Sequence, residues 1–449
     1  MAGWWELLYK ETMVSVPGAG LASPAPAVDR GPVTGTGSAT GVVCRLCGAP
    51  LQRTVADLGM SPLCERFIAL EQLDEMEPFY PLNVRICDRC SLVQLPEYVP
   101  PEEIFTEYAY YSSYSDSFVQ HAHEYALMAA ERFGLGAGSC VVEVGSNDGY
   151  LLQHFVELGI RVLGIDPAEN VAATARERNV PTRVAFFGEA TAHDIAGGGI
   201  RADLIVANNV LSQAPHLNDF VGGMKTLLAP DGTATVEFPH LMRLIEANLF
   251  DTIYHEHFTY FSLLTAERLF AQHGLAVFDL DEISTHGGSL RLYLRHKQDP
   301  APAVSDAVGE FRAREEAARL TSPEPYAAFS RRIEETKRAL LTFLVEAKRD
   351  GKTVVGYGAP GKANTLLNYC GIRTDLIDYL VDRNPYKHGR FTPGTHIPIL
   401  PPERIAETRP DYIWILPWNV REEIVEQLGY AREWGARFLV AVPELSLLP

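Results

Sequence analysis

Two separate stretches of the chain alternate short apolar segments with helical patterns, and this repetition restricts the possible folds more than any other feature. The first stretch runs from Asp116 to about Arg295, and the second follows a long helical region at residues 300–350. Such alternation is typical of β–α–β units and predicts a parallel sheet covered by helices. We therefore expect two doubly wound α/β domains. The predicted strands are Val141–Val144, Val162–Ile165, Leu204–Val206, Thr233–Glu237, Thr353–Tyr357, Ile377–Val381, Tyr412–Leu416 and Arg437–Val442.

A glycine turn follows the first predicted strand, in the segment 141–149 (VVEVGSNDG). A turn of this kind between a strand and a helix lets backbone N–H groups face a ligand. Glu143 stands near the end of the strand, and Asp166 closes the next one, where an acid is placed to hydrogen-bond a ribose diol. Together with the segment 203–210, this pattern resembles S-adenosylmethionine-dependent methyltransferases. A Rossmann-like turn for another nucleotide is the alternative.

Four cysteines form two Cys-x2-Cys pairs, Cys44 with Cys47 and Cys87 with Cys90. Two such pairs supply four thiolates, which suit a tetrahedral zinc ion. Disulfides are the alternative, but the chain has seven cysteines, and an odd number argues against a disulfide framework. Because four thiolates leave no open coordination position, the sequence predicts a structural zinc rather than a catalytic one.

The segment 250–261 (FDTIYHEHFTYF) packs two histidines, a glutamate and two tyrosines within seven residues. It lacks the zinc-protease pattern, because position 259 is threonine. Histidine suits proton removal near neutral pH, and tyrosine hydroxyls can hydrogen-bond a developing enolate. The alternative is a structural aromatic cluster. A second tyrosine-rich run, residues 107–115, is either a packing surface between modules or part of the same site.

The second glycine loop, residues 353–363 (TVVGYGAPGKA), fits two nucleotide-binding patterns. It matches G-x-G-x-x-G with Asp382 about 20 residues on, and it nearly matches a P-loop. Ala363 replaces the Ser or Thr that would hold Mg²⁺, so we reject an ATPase. An NAD site remains open, but a turn that admits a diphosphate, with Lys362 supplying charge, is the favoured interpretation. The segment 285–291 (THGGSLR) is a further candidate phosphate or sugar contact, or a turn with a structural arginine.

The charge balance excludes some partners. The chain has 39 basic and 57 acidic residues, a net charge of −18, which opposes binding to nucleic acid and to anionic membranes. No stretch of about 18 apolar residues is present, and the N-terminus resembles no signal peptide. The sequence therefore predicts a cytoplasmic protein without nucleic-acid or membrane partners.

The motifs together identify a family by resemblance. The cysteine pairs, EVGSNDG, EFPH, FDTIYHEHF, HGGSLR and GYGAPGK occur in this order over about residues 42–445. This order resembles the TDP-sugar C-methyltransferases of deoxysugar and antibiotic biosynthesis. The resemblance implies methylation of a TDP-4-keto-deoxysugar at the carbon next to the ketone, C3 or else C5. The implied organisation is an extension at 1–41, a zinc-binding domain at 42–115, an S-adenosylmethionine-dependent methyltransferase domain at 116–299, and a C-terminal Rossmann-like sugar-nucleotide-binding domain at 300–449.

The resemblance also implies roles for individual residues. His257 would be the base, Glu256 would orient it, and Tyr108 and Tyr254 would bind the sugar or stabilise the enolate. The expected cofactor contacts are Gly145, Ser146, Asp148, Gly149, Asp166 and Asn208. The expected substrate contacts are Arg291, Gly358 and Lys362, and the expected Zn²⁺ ligands are Cys44, Cys47, Cys87 and Cys90.

Two other functions stay open at this point. One is an NAD-dependent sugar-nucleotide oxidoreductase that uses the second glycine loop. The other is a non-catalytic protein that binds a partner through the zinc module. The sequence leaves the oligomeric state open, and Gln213, which stands where the family pattern often has histidine, receives no role.

Overall fold

The computed structural model describes residues 42–106 and 111–448. The predicted extension at 1–41 and the candidate Tyr108 lie outside the described residues. The described part of the chain contains three sheets, and the predicted α/β fold class is confirmed. Within these residues, no helix combines the length and the apolar character needed to cross a bilayer.

The strands and helices are numbered in chain order. The strands are β1 (Arg53–Ser61), β2 (Tyr80–Ile86), β3 (Val93–Gln94), β4 (Cys140–Val144), β5 (Arg161–Asp166), β6 (Thr182–Val184), β7 (Ala202–Asn208), β8 (Leu228–Pro239), β9 (Thr259–Tyr260), β10 (Leu275–Ile283), β11 (Ser289–His296), β12 (Val354–Tyr357), β13 (Leu380–Val381), β14 (Ile399–Leu400), β15 (Tyr412–Ile415), β16 (Arg437–Val440) and β17 (Ser446–Leu448). The α-helices are α1 (Pro101–Phe105), α2 (Asp116–Arg132), α3 (Leu152–Glu157), α4 (Glu169–Glu177), α5 (Glu189–Gly197), α6 (Leu217–Leu227), α7 (Leu241–Glu246), α8 (Leu263–Gln272), α9 (Asp306–Ala317), α10 (Glu324–Arg349), α11 (Gly361–Cys370), α12 (Arg404–Thr408) and α13 (Arg421–Gln427).

The seven-stranded sheet has the order β10-β11-β8-β7-β4-β5-β6. All its strands run parallel to β4 except β11, which is antiparallel to both of its neighbours. The side chains of β4 are buried on both faces, as expected where helices cover both sides of a parallel sheet. The direction in which successive strands are added reverses at β4. Such a reversal opens a crevice at the carboxyl ends of β4 and β7, where ligands bind in α/β folds.

The six-stranded sheet has the order β14-β13-β12-β15-β16-β17. Its strands are parallel, apart from the edge strand β17, which is antiparallel to β16. Its order also reverses, so that a second crevice opens at the carboxyl ends of β12 and β15. The strands predicted for both sheets are present in the structure.

The third sheet is antiparallel and joins distant parts of the chain in the order β1-β2-β3-β9. Its last strand, β9, belongs to the histidine-rich segment 250–261, so the cysteine-bearing region and this segment share one sheet. The amphipathic helix α10 packs against β1 and α11 with buried side chains that include Phe329, Ile333 and Leu340. These contacts hold the histidine-rich segment and the C-terminal sheet against the same part of the chain, the N-terminal module that contains the cysteine pairs and strands β1–β3.

A buried carboxylate joins α9, α8 and the end of β8. Glu315 is fully buried and accepts hydrogen bonds from the backbone N–H groups of Leu263 and Leu264 at the start of α8. It also lies 2.6 Å from Nε2 of His240, the last residue of the EFPH motif. The first N–H groups of a helix have no partner within it, so Glu315 satisfies groups that burial would otherwise penalise. His240 therefore has a structural role, as a partner of this buried carboxylate.

We predict that Glu315→Ala destabilises the protein by about 3 kcal/mol, because it leaves buried donors of α8 and the His240 ring without a partner. Thermal unfolding would show this as a lower midpoint. Glu316→Ala is the matched control, since Glu316 is exposed on the same helix and should change stability by less than about 0.5 kcal/mol. Equal midpoints for the two variants would contradict this account.

Candidate active site

The two crevices open into one cavity of about 940 Å³. Gly145 and Asn208, at the carboxyl ends of β4 and β7, line one side of it. Gly361 and Asn419, which follow β12 and β15, line another. Its volume is at the upper end of the range for small-molecule sites. A cavity that two such crevices share has room for two ligands, one at each sheet.

The turn after β4 is shaped so that a ligand can approach its backbone closely. Gly145 has a φ of +70°, and a Cβ atom there would lie 3.0 Å from a side-chain atom of Val210. The carboxylate of Asp166 fixes the turn, since Oδ2 accepts the N–H of Asn147 at 2.9 Å and Oδ1 accepts that of Ala168 at 2.9 Å. Burial raises the pKa of Asp166 to about 6, although the two hydrogen bonds counteract it. Asp166 also lines the cavity, where a carboxylate suits a diol.

The predicted cofactor residues divide into two groups. Those that line the cavity are Gly145, Asp166 and Asn208. Those outside its lining are Ser146, Asp148 and Gly149. Ser146 turns towards β5, and the fully buried Asp148 pairs with Arg178 at 3.0 Å and accepts a hydrogen bond from Ser113. Ser146, Asp148 and Gly149 are therefore suited to fixing the shape of the turn from the side away from the cavity.

Two residues that line the cavity beside this turn have buried oxygen atoms without a partner among the described residues. The Oδ1 atoms of Asn208 and Asn209 are buried and accept no hydrogen bond from the described residues. Buried polar groups are normally satisfied, so such atoms mark the place of a ligand or water. Together with the close approach at Gly145 and the carboxylate of Asp166, they fit S-adenosylmethionine, which has a ribose diol and a polar amino-acid end.

His257 lines the cavity with its ring orientation fixed. Its Nδ1 atom lies 3.0 Å from the carbonyl oxygen of Thr252. A carbonyl only accepts, so Nδ1 carries the hydrogen and Nε2 keeps its lone pair for a substrate proton. Burial lowers the pKa of His257 to about 4, which keeps the ring neutral at pH 7. The ring of Tyr254 packs against it, with 4.2 Å between centroids.

The neighbours of His257 in sequence face different surroundings. Glu256 lines the cavity and accepts a hydrogen bond from the thiol of Cys64 at 3.5 Å. Tyr254 also lines the cavity, and burial raises its pKa well above the usual range, so it remains a hydroxyl donor. In contrast, His255 is absent from the cavity lining, and its Nε2 lies 3.2 Å from the carbonyl oxygen of Pro81. The two histidines of the motif are therefore not equivalent.

The second crevice presents a half-buried cation. Lys362 lines the cavity, donates from Nζ to Oδ1 of Asn419 at 2.6 Å, and lies over the Trp418 ring at 4.6 Å from its centroid. Burial lowers the pKa of Lys362, and Asp251 counteracts this. Among the described residues its Nζ forms no ion pair, although Asp251 is near enough to interact with it electrostatically. A half-buried lysine without an ion pair favours an anionic ligand.

The turn after β12 repeats the hydrogen-bond pattern of the turn after β4. Asp382 accepts the N–H of Ala359 at 2.7 Å and that of Asn384 at 2.8 Å. Gly358, a predicted substrate contact, is absent from the cavity lining. Its φ is +83°, and a Cβ atom there would lie 2.6 Å from Pro417, so glycine is needed for the turn itself.

Arg291, another predicted substrate contact, lies behind the cavity wall. Its guanidinium is 3.1 Å from Oε2 of Glu237 and 4.5 Å from the centroid of the Tyr125 ring. Glu237 in turn accepts a hydrogen bond from Thr285 at 2.9 Å. Arg291 thus supports the loop at 285–288 from beneath.

Several cavity residues escaped the sequence analysis. Glu65 and Lys387 face each other at 3.6 Å from the N-terminal and C-terminal modules, and Lys387 also donates to the carbonyl of Ala359 at 2.8 Å. Neither position belongs to a recognisable motif. Asn419 was likewise not predicted as a site residue, because the segment that follows β15 contains no glycine motif. His286 was within a segment already singled out.

The four paired cysteines form one cluster, and their Sγ atoms all lie within 4.8 Å of one another. Cys44 and Cys90 are 3.5 Å apart, as are Cys47 and Cys87. Four thiolates around a common centre fit Zn²⁺, which binds sulfur at about 2.3 Å in a tetrahedron. Arg45, within the first knuckle, donates to the carbonyl of Pro215 at 2.6 Å, and Pro215 lines the cavity.

Comparisons with known proteins divide the chain into three matches. Residues 44–105 match a zinc binding domain, residues 116–280 a methyltransferase domain, and residues 284–443 the C-methyltransferase C-terminal domain. The C-methyltransferase NovU of Streptomyces niveus is 37% identical over 406 residues, which are 89% of this chain and 95% of that protein.

Two further similarities are more limited. A ubiquinone biosynthesis O-methyltransferase of Rhodopseudomonas palustris is 26% identical over 100 residues, 22% of this chain and 40% of that protein. The crystal structure of magnesium protoporphyrin IX methyltransferase from Synechocystis with bound SAM has a TM-score of 0.30 and 15% identity, covering 39% of this chain and 78% of that one. A score this low supports no argument.

We predict that Cys44→Ser and Cys87→Ser release the metal and lower the yield of folded protein, because structural zinc contributes directly to folding free energy. Metal analysis of purified protein should find about one zinc per wild-type chain and much less in either variant. Cys370→Ser is the control, since Cys370 is buried on α11, away from the cluster. Full zinc retention in the first two variants would contradict the four-thiolate site.

Proposed function

This chain belongs to the C-methyltransferase family, and on that premise we propose that it methylates a carbon next to the ketone of a TDP-4-keto-deoxysugar. The proposed methyl donor is S-adenosylmethionine, and the proposed metal is a structural Zn²⁺ held by the four clustered cysteines. The favoured position is C3, with C5 as the other candidate. The product class would be a branched deoxysugar for antibiotic biosynthesis. The domain limits at residues 42, 116 and 300 are part of the same proposal.

A single observation carries the proposal: the crevices of both parallel sheets share one cavity, and His257 lines it. A carbon next to a ketone must lose a proton before it can attack a methyl group. That step needs a base, a stabiliser for the enolate and a donor held in place. S-adenosylmethionine supplies the electrophilic methyl group when it is bound in the first crevice. The residues around the cavity have the chemistry for the other requirements.

We assign proton removal to Nε2 of His257, since Nδ1 is engaged with the carbonyl of Thr252. Glu256 is assigned to position the ring or the sugar, and Tyr254 donates its hydroxyl to the sugar. Tyr108 remains proposed as a sugar contact on resemblance alone. Gly145, Asp166 and Asn208 are assigned to the cofactor, with Ser146, Asp148 and Gly149 forming its turn.

The second crevice is assigned to the nucleoside diphosphate. Lys362 supplies the charge, and the backbone N–H groups at the start of the ten-residue helix α11 face the same space. In a chain with a net charge of −18, a half-buried lysine that lines the cavity is a selective feature for an anion. An oxidoreductase would instead require NAD in this crevice, and no observation favours it over a sugar nucleotide.

The first test measures whether the proton on the carbon next to the ketone exchanges with solvent deuterium. We expect the wild-type enzyme, with S-adenosylhomocysteine and TDP-4-keto-6-deoxyglucose in D2O, to place deuterium at one carbon beside the ketone, and NMR identifies whether that carbon is C3 or C5. His257→Asn should slow this exchange by at least about 100-fold, because the general base is lost. Its affinity for S-adenosylhomocysteine should be unchanged, since His257 is assigned no contact with the donor.

His255→Asn is the matched control, because His255 stands two residues away and is bonded to Pro81 outside the cavity lining. It should exchange at the wild-type rate. Normal exchange by His257→Asn would move the base to another residue. A wild-type enzyme that neither exchanges deuterium nor adds a methyl group with S-adenosylmethionine would contradict the proposed substrate.

We predict that Lys362→Ala weakens binding of TDP by about 10-fold or more, because a hydrogen bond from a charged group contributes about 1.5–3 kcal/mol. Isothermal titration calorimetry with TDP alone measures this directly. Lys352→Ala is the control, since Lys352 is an exposed lysine of the same domain, paired with Asp411. An unchanged dissociation constant for Lys362→Ala would remove the diphosphate from this crevice.

A further inference from the structure

His286 lies in a strained loop at the cavity, and one of its ring nitrogens has no partner among the described residues. Its φ of 53° is in the left-handed region, which is uncommon for residues other than glycine. Its Nε2 atom is buried and has no hydrogen-bond partner among the described residues, and the residue lines the cavity. Strain of this kind persists only where surrounding structure enforces it, and it concentrates at functional sites.

The surrounding structure fixes the loop from both sides. From beneath, the buried pair of Arg291 and Glu237 holds Thr285 through a 2.9 Å hydrogen bond. From above, Gly287 approaches Trp418 so closely that a Cβ atom would lie 2.6 Å from its ring. Trp418 is itself fixed by a 2.7 Å hydrogen bond to Asp251. The imidazole of His286 is therefore held between the methyltransferase sheet and the C-terminal sheet.

Burial and the charges around His286 determine its protonation state. Burial, together with Lys362 and His121, lowers the pKa of His286 to about 4, although Glu237 opposes this shift. The ring is then neutral at pH 7, with one N–H to donate and one lone pair. His257 lines the same cavity, and a charge on His286 would lower the pKa of His257. A neutral imidazole is a weak ligand for a diphosphate but a suitable donor to a carbonyl oxygen on which charge develops.

We infer that His286 is a catalytic residue whose imidazole N–H donates to the ketone oxygen of the substrate and stabilises the enolate. This inference rests on the proposed function. In the step, the C–H bond next to the ketone breaks, the proton moves to Nε2 of His257, and the electron pair passes to the ketone oxygen beside His286. When the carbon attacks the methyl group, the pair returns and the carbonyl reforms. His257 and His286 thus form a base and donor pair on the same enolate.

The experiment compares His286→Ala with His286→Asn in the deuterium-exchange assay with TDP-4-keto-6-deoxyglucose and S-adenosylhomocysteine. Asparagine tolerates the left-handed backbone and keeps an N–H donor. We expect His286→Ala to slow exchange and kcat by about 100-fold, the usual effect of losing one oxyanion donor. We expect His286→Asn to recover at least part of that loss. The dissociation constants for TDP and for S-adenosylhomocysteine should stay within about threefold of wild type in both variants.

Two outcomes would overturn the inference. Exchange by His286→Ala at the wild-type rate would show that the enolate needs no donor at this position. A TDP affinity that falls in His286→Ala as it does in Lys362→Ala would make His286 a diphosphate ligand instead. The wild-type protein in the same assay separates these results from a failure of the proposed substrate, since it must exchange deuterium before the variants are compared. Thermal unfolding midpoints check that both variants fold.

Discussion

The meeting of two parallel sheets at their carboxyl ends is the constraint on which the site depends. Each sheet reverses its strand order, and each reversal leaves backbone N–H groups and short polar side chains at a crevice. Because the N-terminal module packs against both, through α10 and through β9, the crevices open into one cavity. A cavity shared in this way brings a ligand at one sheet within reach of a ligand at the other.

Burial also determines the protonation states of residues that line the cavity. Burial keeps His257 and His286 neutral and keeps Tyr254 protonated. Lys362 is half-buried at the same cavity and donates to Asn419. The cavity wall therefore presents neutral donors and one lone pair near the proposed reacting carbon and a positive charge at the second crevice. Charge that develops on an oxygen in such an environment interacts more strongly with fixed donors than it would in water.

The sequence predicted the architecture well because periodicity reports local structure. The strands predicted at Val141–Val144 and Arg437–Val442 are present with small shifts in their limits, and the long helical region predicted at residues 300–350 contains α9 and α10. The cysteine cluster was predictable because two knuckles of fixed spacing have few ways to meet. Glu65 and Lys387 were not predictable, since they face each other across 322 positions of the chain only after folding. Motif position also failed to distinguish Arg291, which supports the wall, from His286, which faces the cavity.

The bond from Arg45 to Pro215 links the cysteine cluster to the cavity wall. Arg45 lies between Cys44 and Cys47, two of the proposed zinc ligands, and Pro215 belongs to the surface that lines the cavity. If this contact couples the two sites, a ligand in the cavity and a metal on the four cysteines each change the affinity for the other by the same factor. Metal affinity would then report whether the cavity is occupied.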